Sequence, residues 1–263
     1  MIYFYCIYLT KRKWWNMFHN FKGINIYYER LGSGSPIIFL HGWGCTLDVF
    51  KQISENLKDK YEVFLIDLPG FGKSSNIENA LDVKEVTTII KDFIEKNSII
   101  NPILIGHSYG GRILIEYASS STNISKLILI DSAGIKHRSL KKWIKIKLYK
   151  LKKFYFKLTK QVMKYNELLR KSGSSDYINS SHILKQMLIK AVSYNQVKLL
   201  KNITCETLII WGKNDDTTKL KDAKIFKRLI KNSELIIIPS SSHFPFIDNY
   251  SYFIKVLKSY LEV

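Results

Sequence analysis

From residue 24 onward the chain alternates between two hydrophobic rhythms. Residues 24–30, the turn Gly32-Ser33-Gly34-Ser35 and the apolar run 36–40 read as a strand, a tight turn and a second strand. Short runs rich in Ile, Leu and Val follow at 61–66, 103–105, 126–130, 207–210 and 235–238. Successive residues of a strand point to opposite faces, so a run that is apolar at every position suits a strand buried on both sides of a parallel sheet. Between these runs, residues 83–96, 110–119, 220–230 and 250–261 place apolar side chains at helical spacing. Strands alternating with helices predict an α/β protein, a mostly parallel twisted sheet with helices on both faces.

The alternation lapses over residues 137–200, where no strand signal occurs and several helices are expected. The economical division is a core made of 18–136 and 201–263, a helical cap inserted over 137–200, and an N-terminal extension over 1–17. Within the insertion Leu140, Ile144, Leu148, Leu151, Tyr155, Leu158 and Val162 share one helical stripe, with Lys141, Lys142, Lys145, Lys152, Lys153 and Lys160 mostly elsewhere. Two expectations arise. A cap helix can cover the active site with its apolar stripe, its lysines solvated, or the same surface can rest on anionic lipid.

Charge sharpens that second option. The formal net charge is +19, and residues 136–171 hold fourteen Lys and Arg against one acid, Glu167. A positive field there could also draw in anionic substrates. Nucleic-acid binding is not expected, because no matching motif or stacking module accompanies the charge. No run approaches the roughly 18–20 apolar residues that span a bilayer. The apolar start, residues 1–9, is short and precedes its positive charges Lys11, Arg12 and Lys13, so it is not read as a secretory signal. Three widely spaced cysteines, Cys6, Cys45 and Cys205, fit neither a disulfide framework nor a zinc site, and a cytoplasmic setting is expected, with peripheral contact at the membrane as the alternative.

The chemistry concentrates at Gly106-His107-Ser108-Tyr109-Gly110, directly after one strand and at the start of a helix. This is the G-x-S-x-G nucleophile elbow in both sequence and context. Small residues at 106 and 110 suit a strand-to-helix turn too sharp for a Cβ, and the helix start favours developing negative charge. With this motif the chain resembles the α/β-hydrolase family, over almost its whole length. His41-Gly42-Trp43-Gly44 looks like the family's oxyanion loop, which implies backbone N–H donors at Trp43 and Tyr109, with His41 and Gly42 supporting the loop. Trp211-Gly212-Lys213-Asn214-Asp215 is similar to the acid-bearing loop, and Ser242-His243 to the loop of the catalytic histidine, with Ser242 where a glycine is usual.

The resemblance therefore implies Ser108 as nucleophile, His243 as base and Asp215 as orienting acid, in the family's chain order. Asp131, at the end of the strand 126–130, is the alternative acid. Asp216 reads as loop capping, and His19, His107, His137 and His182 as structural or surface residues, although His137 could reach the site. Gly72-Lys73-Ser74 could suggest a phosphate loop, but that motif needs glycine where Asp67 stands. No metal and no cofactor is expected. The expected activity is hydrolysis of a small carboxylic ester with an apolar part. The alternatives are carbon–carbon bond cleavage of an anionic dicarbonyl compound and a catalytically silent binding protein.

Overall fold

The computed structural model describes residues 15–136 and 181–263, with isolated positions between 148 and 164. Their strands form one eight-stranded sheet in the order β1-β2-β4-β3-β5-β6-β7-β8. The strands are β1 (Trp15–Phe21), β2 (Ile24–Gly32), β3 (Ser35–Leu40), β4 (Tyr61–Ile66), β5 (Ile103–His107), β6 (Lys126–Ile130), β7 (Glu206–Gly212) and β8 (Ser233–Ile238). From β4 to β8 every pairing is parallel, while β1 and β2 run antiparallel at one edge.

One feature departs from the reading of the chain and a second goes beyond it. Strand β1 lies upstream of residue 24 and begins before residue 18; its Trp15, Met17 and Phe18 are exposed, so this edge strand lacks the apolar run that marks the others. The turn after β2 does not close a hairpin with β3. Gly32 pairs with Glu62 and Ser35 with Tyr61, so the chain wraps around the start of β4, which lies between them. Gly32 and Gly34 take positive φ of 82° and 122°, and a Cβ on either would collide with backbone carbonyls of residues 58–61. Only glycine meets both conditions.

The unbroken apolar runs supply both faces at once. On one face Ile38, Leu40, Leu104, Leu129 and Ile209 pack under α2 (Val83–Lys96) and α3 (Tyr109–Ala118). On the other, Ile37, Phe39, Ile105, Ile128 and Ile210 pack against α1 (Lys51–Glu55) and its preceding turn, and against the C-terminal helix. Helix α2 opens on a reciprocal cap in which Asp82 accepts from Glu85 N–H and Glu85 from Asp82 N–H.

Between β6 and β7 the described chain includes α4 (His182–Ser193), which buries Met187 and Ala191. Its exit is clamped to α3: Arg112 Nη1 donates to the Tyr194 carbonyl at 2.6 Å, and Gln196 Nε2 to the Arg112 carbonyl at 2.9 Å. Of the apolar stripe, Leu148, Leu151, Tyr155 and Leu158 are described and all four are exposed, by 53–70%. Leu140, Ile144, Val162 and the stripe's lysines lie outside the described residues. No helix among the described residues is long and apolar enough to cross a membrane. After β7 the described residues form α5 (Leu220–Leu229), the short α6 (Pro245–Asp248) and α7 (Tyr250–Leu261).

Candidate active site

Because β3 and β5 to β8 are parallel, their carboxyl ends share one edge, and the loops that follow them converge there. After β5, Ser108 N–H still donates to the Ile130 carbonyl at 3.0 Å, as a strand residue would. The next dihedrals break the strand: Ser108 has φ 50° and ψ −105°, a conformation that is costly for a residue with a Cβ. α3 starts at once, and the turn is possible because a Cβ at Gly106 would lie 2.7 Å from Gly111 N and one at Gly110 would strike the Leu40 carbonyl.

That same absence lets Gly110 N–H donate to the His41 carbonyl at 3.1 Å, which fastens the elbow to the loop after β3. His41 is wholly buried; its Nδ1 donates to the Gly42 carbonyl at 2.8 Å and its Nε2 accepts from Leu68 N–H at 3.0 Å. Burial holds its pKa low, so this neutral imidazole shapes the loop. Trp43 stacks edge-on against both Phe71 and Tyr109, the residue after Ser108. Tyr109 N–H is the first amide of α3 and has no acceptor within the helix. Asp67 accepts from Leu47 N–H and Lys73 N–H, both at 2.7 Å, and so braces this turn rather than a phosphate.

His243 reaches Ser108 from the loop after β8. Its Nε2 is 3.0 Å from Ser108 Oγ and its Nδ1 is 2.7 Å from Asp215 Oδ2. With the carboxylate as acceptor, Nδ1 carries the proton and Nε2 is free to accept from the serine. Ser242, in place of the usual glycine, donates through both N–H and hydroxyl to Asp248 Oδ2, at 2.7 and 2.6 Å, which ties the histidine loop to α6.

Asp215 is fixed by its own loop. Oδ1 accepts from Thr217 N–H at 2.7 Å and Thr218 N–H at 3.0 Å, and the Thr218 hydroxyl lies 2.6 Å from Oδ2. Burial would raise the Asp215 pKa, but hydrogen bonds from His243, Asp131 and Thr218 outweigh it and hold the pKa at about 2. Neither threonine stood out in the sequence, although an Asp followed two and three residues later by Thr is an Asx-turn pattern.

His107 takes the structural option and is buried. Its Nε2 donates to the His243 carbonyl at 2.7 Å, and burial together with the His243 charge lowers its pKa to about 3. It stays neutral and holds the backbone of the histidine loop. His19 pairs with Asp92 and His182 is exposed on α4; His137 lies outside the described residues.

Asp131, the alternative acid, is brought to the same cluster but does not touch His243 in any hydrogen bond. Its Oδ1 accepts from Gly212 N–H at 2.9 Å. Among the described residues Asp131, Asp215 and His243 also form a group whose potential ligand atoms lie within 4.8 Å. Zinc ligands at about 2.0–2.1 Å from a tetrahedral ion sit about 3.3 Å apart, so the 2.7 Å Nδ1–Oδ2 contact fits a shared proton and not an ion.

Comparison with known proteins bears on the fold and the family. A family model described as alpha/beta hydrolase fold matches residues 35–182, which includes the elbow and stops short of Asp215 and His243. A pimeloyl-[acyl-carrier protein] methyl ester esterase from Wigglesworthia glossinidia brevipalpis is 29% identical over 90% of this chain and 97% of its own. Lipase 1 of Psychrobacter immobilis is 26% identical over 86% of this chain and 79% of its own. Among solved structures, an esterase from Exiguobacterium antarcticum superposes with a TM-score of 0.73 at 26% identity, over 92% of this chain and 97% of that one. With the sheet order, the elbow and a family match over more than half its length, the chain belongs to the α/β hydrolase fold family.

Proposed function

We propose that the protein is a serine esterase that hydrolyses a small carboxylic ester with an apolar part through an acyl-enzyme. The observation that carries this is the unbroken hydrogen-bond line from Ser108 Oγ through His243 to Asp215, at 3.0 and 2.7 Å. His243 Nε2 takes the hydroxyl proton as Ser108 Oγ attacks the ester carbonyl, and Asp215 steadies the imidazolium. The oxyanion rests on Trp43 and Tyr109 N–H, each such donor typically worth about 3 kcal/mol in the transition state. His243 then returns the proton to the leaving alcohol, and water, deprotonated in turn by His243, releases the acid and restores the serine. The aromatic wall of Trp43, Phe71 and Tyr109 suits an apolar acyl or alcohol group. The relatives named as esterases and lipases support ester chemistry, and methyl esters of acyl chains are the first substrates to offer.

In this reading residues 137–200 form a cap, and the exposed Leu148, Leu151, Tyr155 and Leu158 favour its use as a contact with anionic membrane from the cytoplasmic side. A cap folded over the site would bury that stripe. One experiment addresses both points: turnover of chromogenic esters from acetyl to long-chain acyl by wild type and Ser108→Ala, with and without anionic vesicles. Ester turnover that vanishes in Ser108→Ala is expected, as is vesicle stimulation that Leu151→Ser with Leu158→Ser abolishes. Turnover that survives Ser108→Ala overturns the nucleophile, no ester turnover favours the carbon–carbon reading or a silent binder, and unchanged vesicle response overturns the membrane contact.

A further inference from the structure

Asp131 is too deeply placed and too oddly bonded to be a spare acid. It has no exposed surface and sits at φ 41°, a strained conformation for a non-glycine residue. Its backbone N–H donates to the Ile210 carbonyl at 3.0 Å, which fixes it one residue beyond the end of β6. One carboxyl oxygen, Oδ1, accepts from Gly212 N–H at 2.9 Å. The other, Oδ2, is buried and finds no donor among the described residues. A carboxylate oxygen left so would be costly, yet the carboxylate within 4.8 Å of this carboxyl group in the same cluster is that of Asp215, an arrangement that two ionised acids would not tolerate.

We propose that Asp131 is a protonated carboxylic acid that donates its Oδ2 proton to the Asp215 carboxylate, making it a positioning residue for the serine-histidine-aspartate line. One proton then resolves both difficulties: the orphan oxygen becomes a donor, and the second negative charge disappears. Asp215 Oδ1 accepts from Thr217 N–H and Thr218 N–H and its Oδ2 from His243 Nδ1–H and the Thr218 hydroxyl, and the Asp131 proton is a further donor to the same carboxylate. The Thr218 hydroxyl, 2.6 Å from Asp215 Oδ2, also has the Asp131 carbonyl at 3.0 Å as an alternative acceptor.

The surroundings agree. Burial is the main force raising the Asp131 pKa, to about 10, and the hydrogen bond and charge of Asp215, with the charge of Asp248 on α6, act the same way against the single Gly212 amide. A donated hydrogen bond spreads the charge of Asp215, so it holds the carboxylate in place while moderating its pull on the histidine. The role rests on the esterase reading for its effect on turnover, but the protonation itself does not.

The test therefore has two arms. Carboxyl-13C aspartate NMR of the full chain, with the Asp131 signal assigned by its loss in Asp131→Asn, is expected to show a protonated carboxyl that does not titrate between about pH 5 and 8 in wild type and in Ser108→Ala. A signal that titrates in the ordinary carboxylate range overturns the proposal, whatever the enzyme does. In the kinetic arm, Asp131→Ala is expected to lower kcat by about tenfold with little change in KM, and to move the acid limb of kcat/KM to higher pH. Asp131→Asn, whose amide can donate to Asp215 and accept from Gly212, is expected to recover most of the loss. An Asn variant as impaired as Asp215→Asn would mean that Asp131 works ionised, and would sink the idea. Turnover that survives Ser108→Ala counts against the esterase reading alone, and the NMR arm still decides the protonation.

Discussion

Ser108 must expose a hydroxyl beside an imidazole while its own backbone is still leaving a strand, and its φ of 50° records the cost. The neighbouring side chains divide the work by environment: His41 and His107 are buried and neutral, while His243 alone links the serine to a carboxylate. Thr217 and Thr218 hold Asp215 from within its own loop, and in the proposal above Asp131 adds a hold from the loop after β6. Asp215→Asn is expected to reduce kcat by about 10⁴-fold by reversing the histidine tautomer. Thr218→Val should cost about tenfold or less, since it removes one hydroxyl and leaves the Thr218 N–H in place. Steady-state kinetics on one ester checks both; equal losses would mean that Thr218 does more than support Asp215.

The elbow is an element-scale device, because β5, α3 and the loop after β3 meet without room for a methyl group. Gly110→Ala is expected to lower stability by about 1–3 kcal/mol through overpacking against the Leu40 carbonyl, and to lower kcat as well by displacing the His41 loop. Asp82→Ala serves as the contrast. It removes the cap of α2 and should lower stability by about 1 kcal/mol with a smaller loss of kcat than Gly110→Ala. Thermal melts beside kinetics separate the two, and a Gly110→Ala enzyme of full activity would contradict the tight junction. The elbow was legible because its glycines and serine are adjacent in sequence. β1 was not, because a strand at the sheet's edge needs no apolar run, and neither was the passage of β4 between β2 and β3, which is a long-range pairing.

At the scale of the whole molecule, two buried acids set opposite slopes of stability against pH. Asp215 has its pKa lowered to about 2, so its contribution is present above the ordinary carboxylate value and is lost as pH falls from about 4 towards 2. Asp131 has its pKa raised to about 10, so its contribution is full below about pH 4 and is lost as pH rises towards 10. Melting temperature should therefore fall between about pH 6 and 9 in wild type, and Asp131→Asn should flatten that fall. A wild-type slope unchanged in Asp131→Asn would assign the loss to other groups.

The sequence by itself determined the sheet-and-helix alternation, the elbow around Ser108, and the placing of Asp215 and His243 after late strands, because each of these is written in residues next to one another or in a short period. Which strands neighbour one another, and that Asp131 lies beside Asp215 rather than in its place, were decided only by the tertiary structure. Residues 131 and 215 come together because β6 and β7 pair in parallel, with Ile130 opposite Ile210. Local patterning can specify a strand and a loop, but it carries no information on the low-dielectric space between two loops, and it is that space which shifts the pKa of two neighbouring carboxyls in opposite directions.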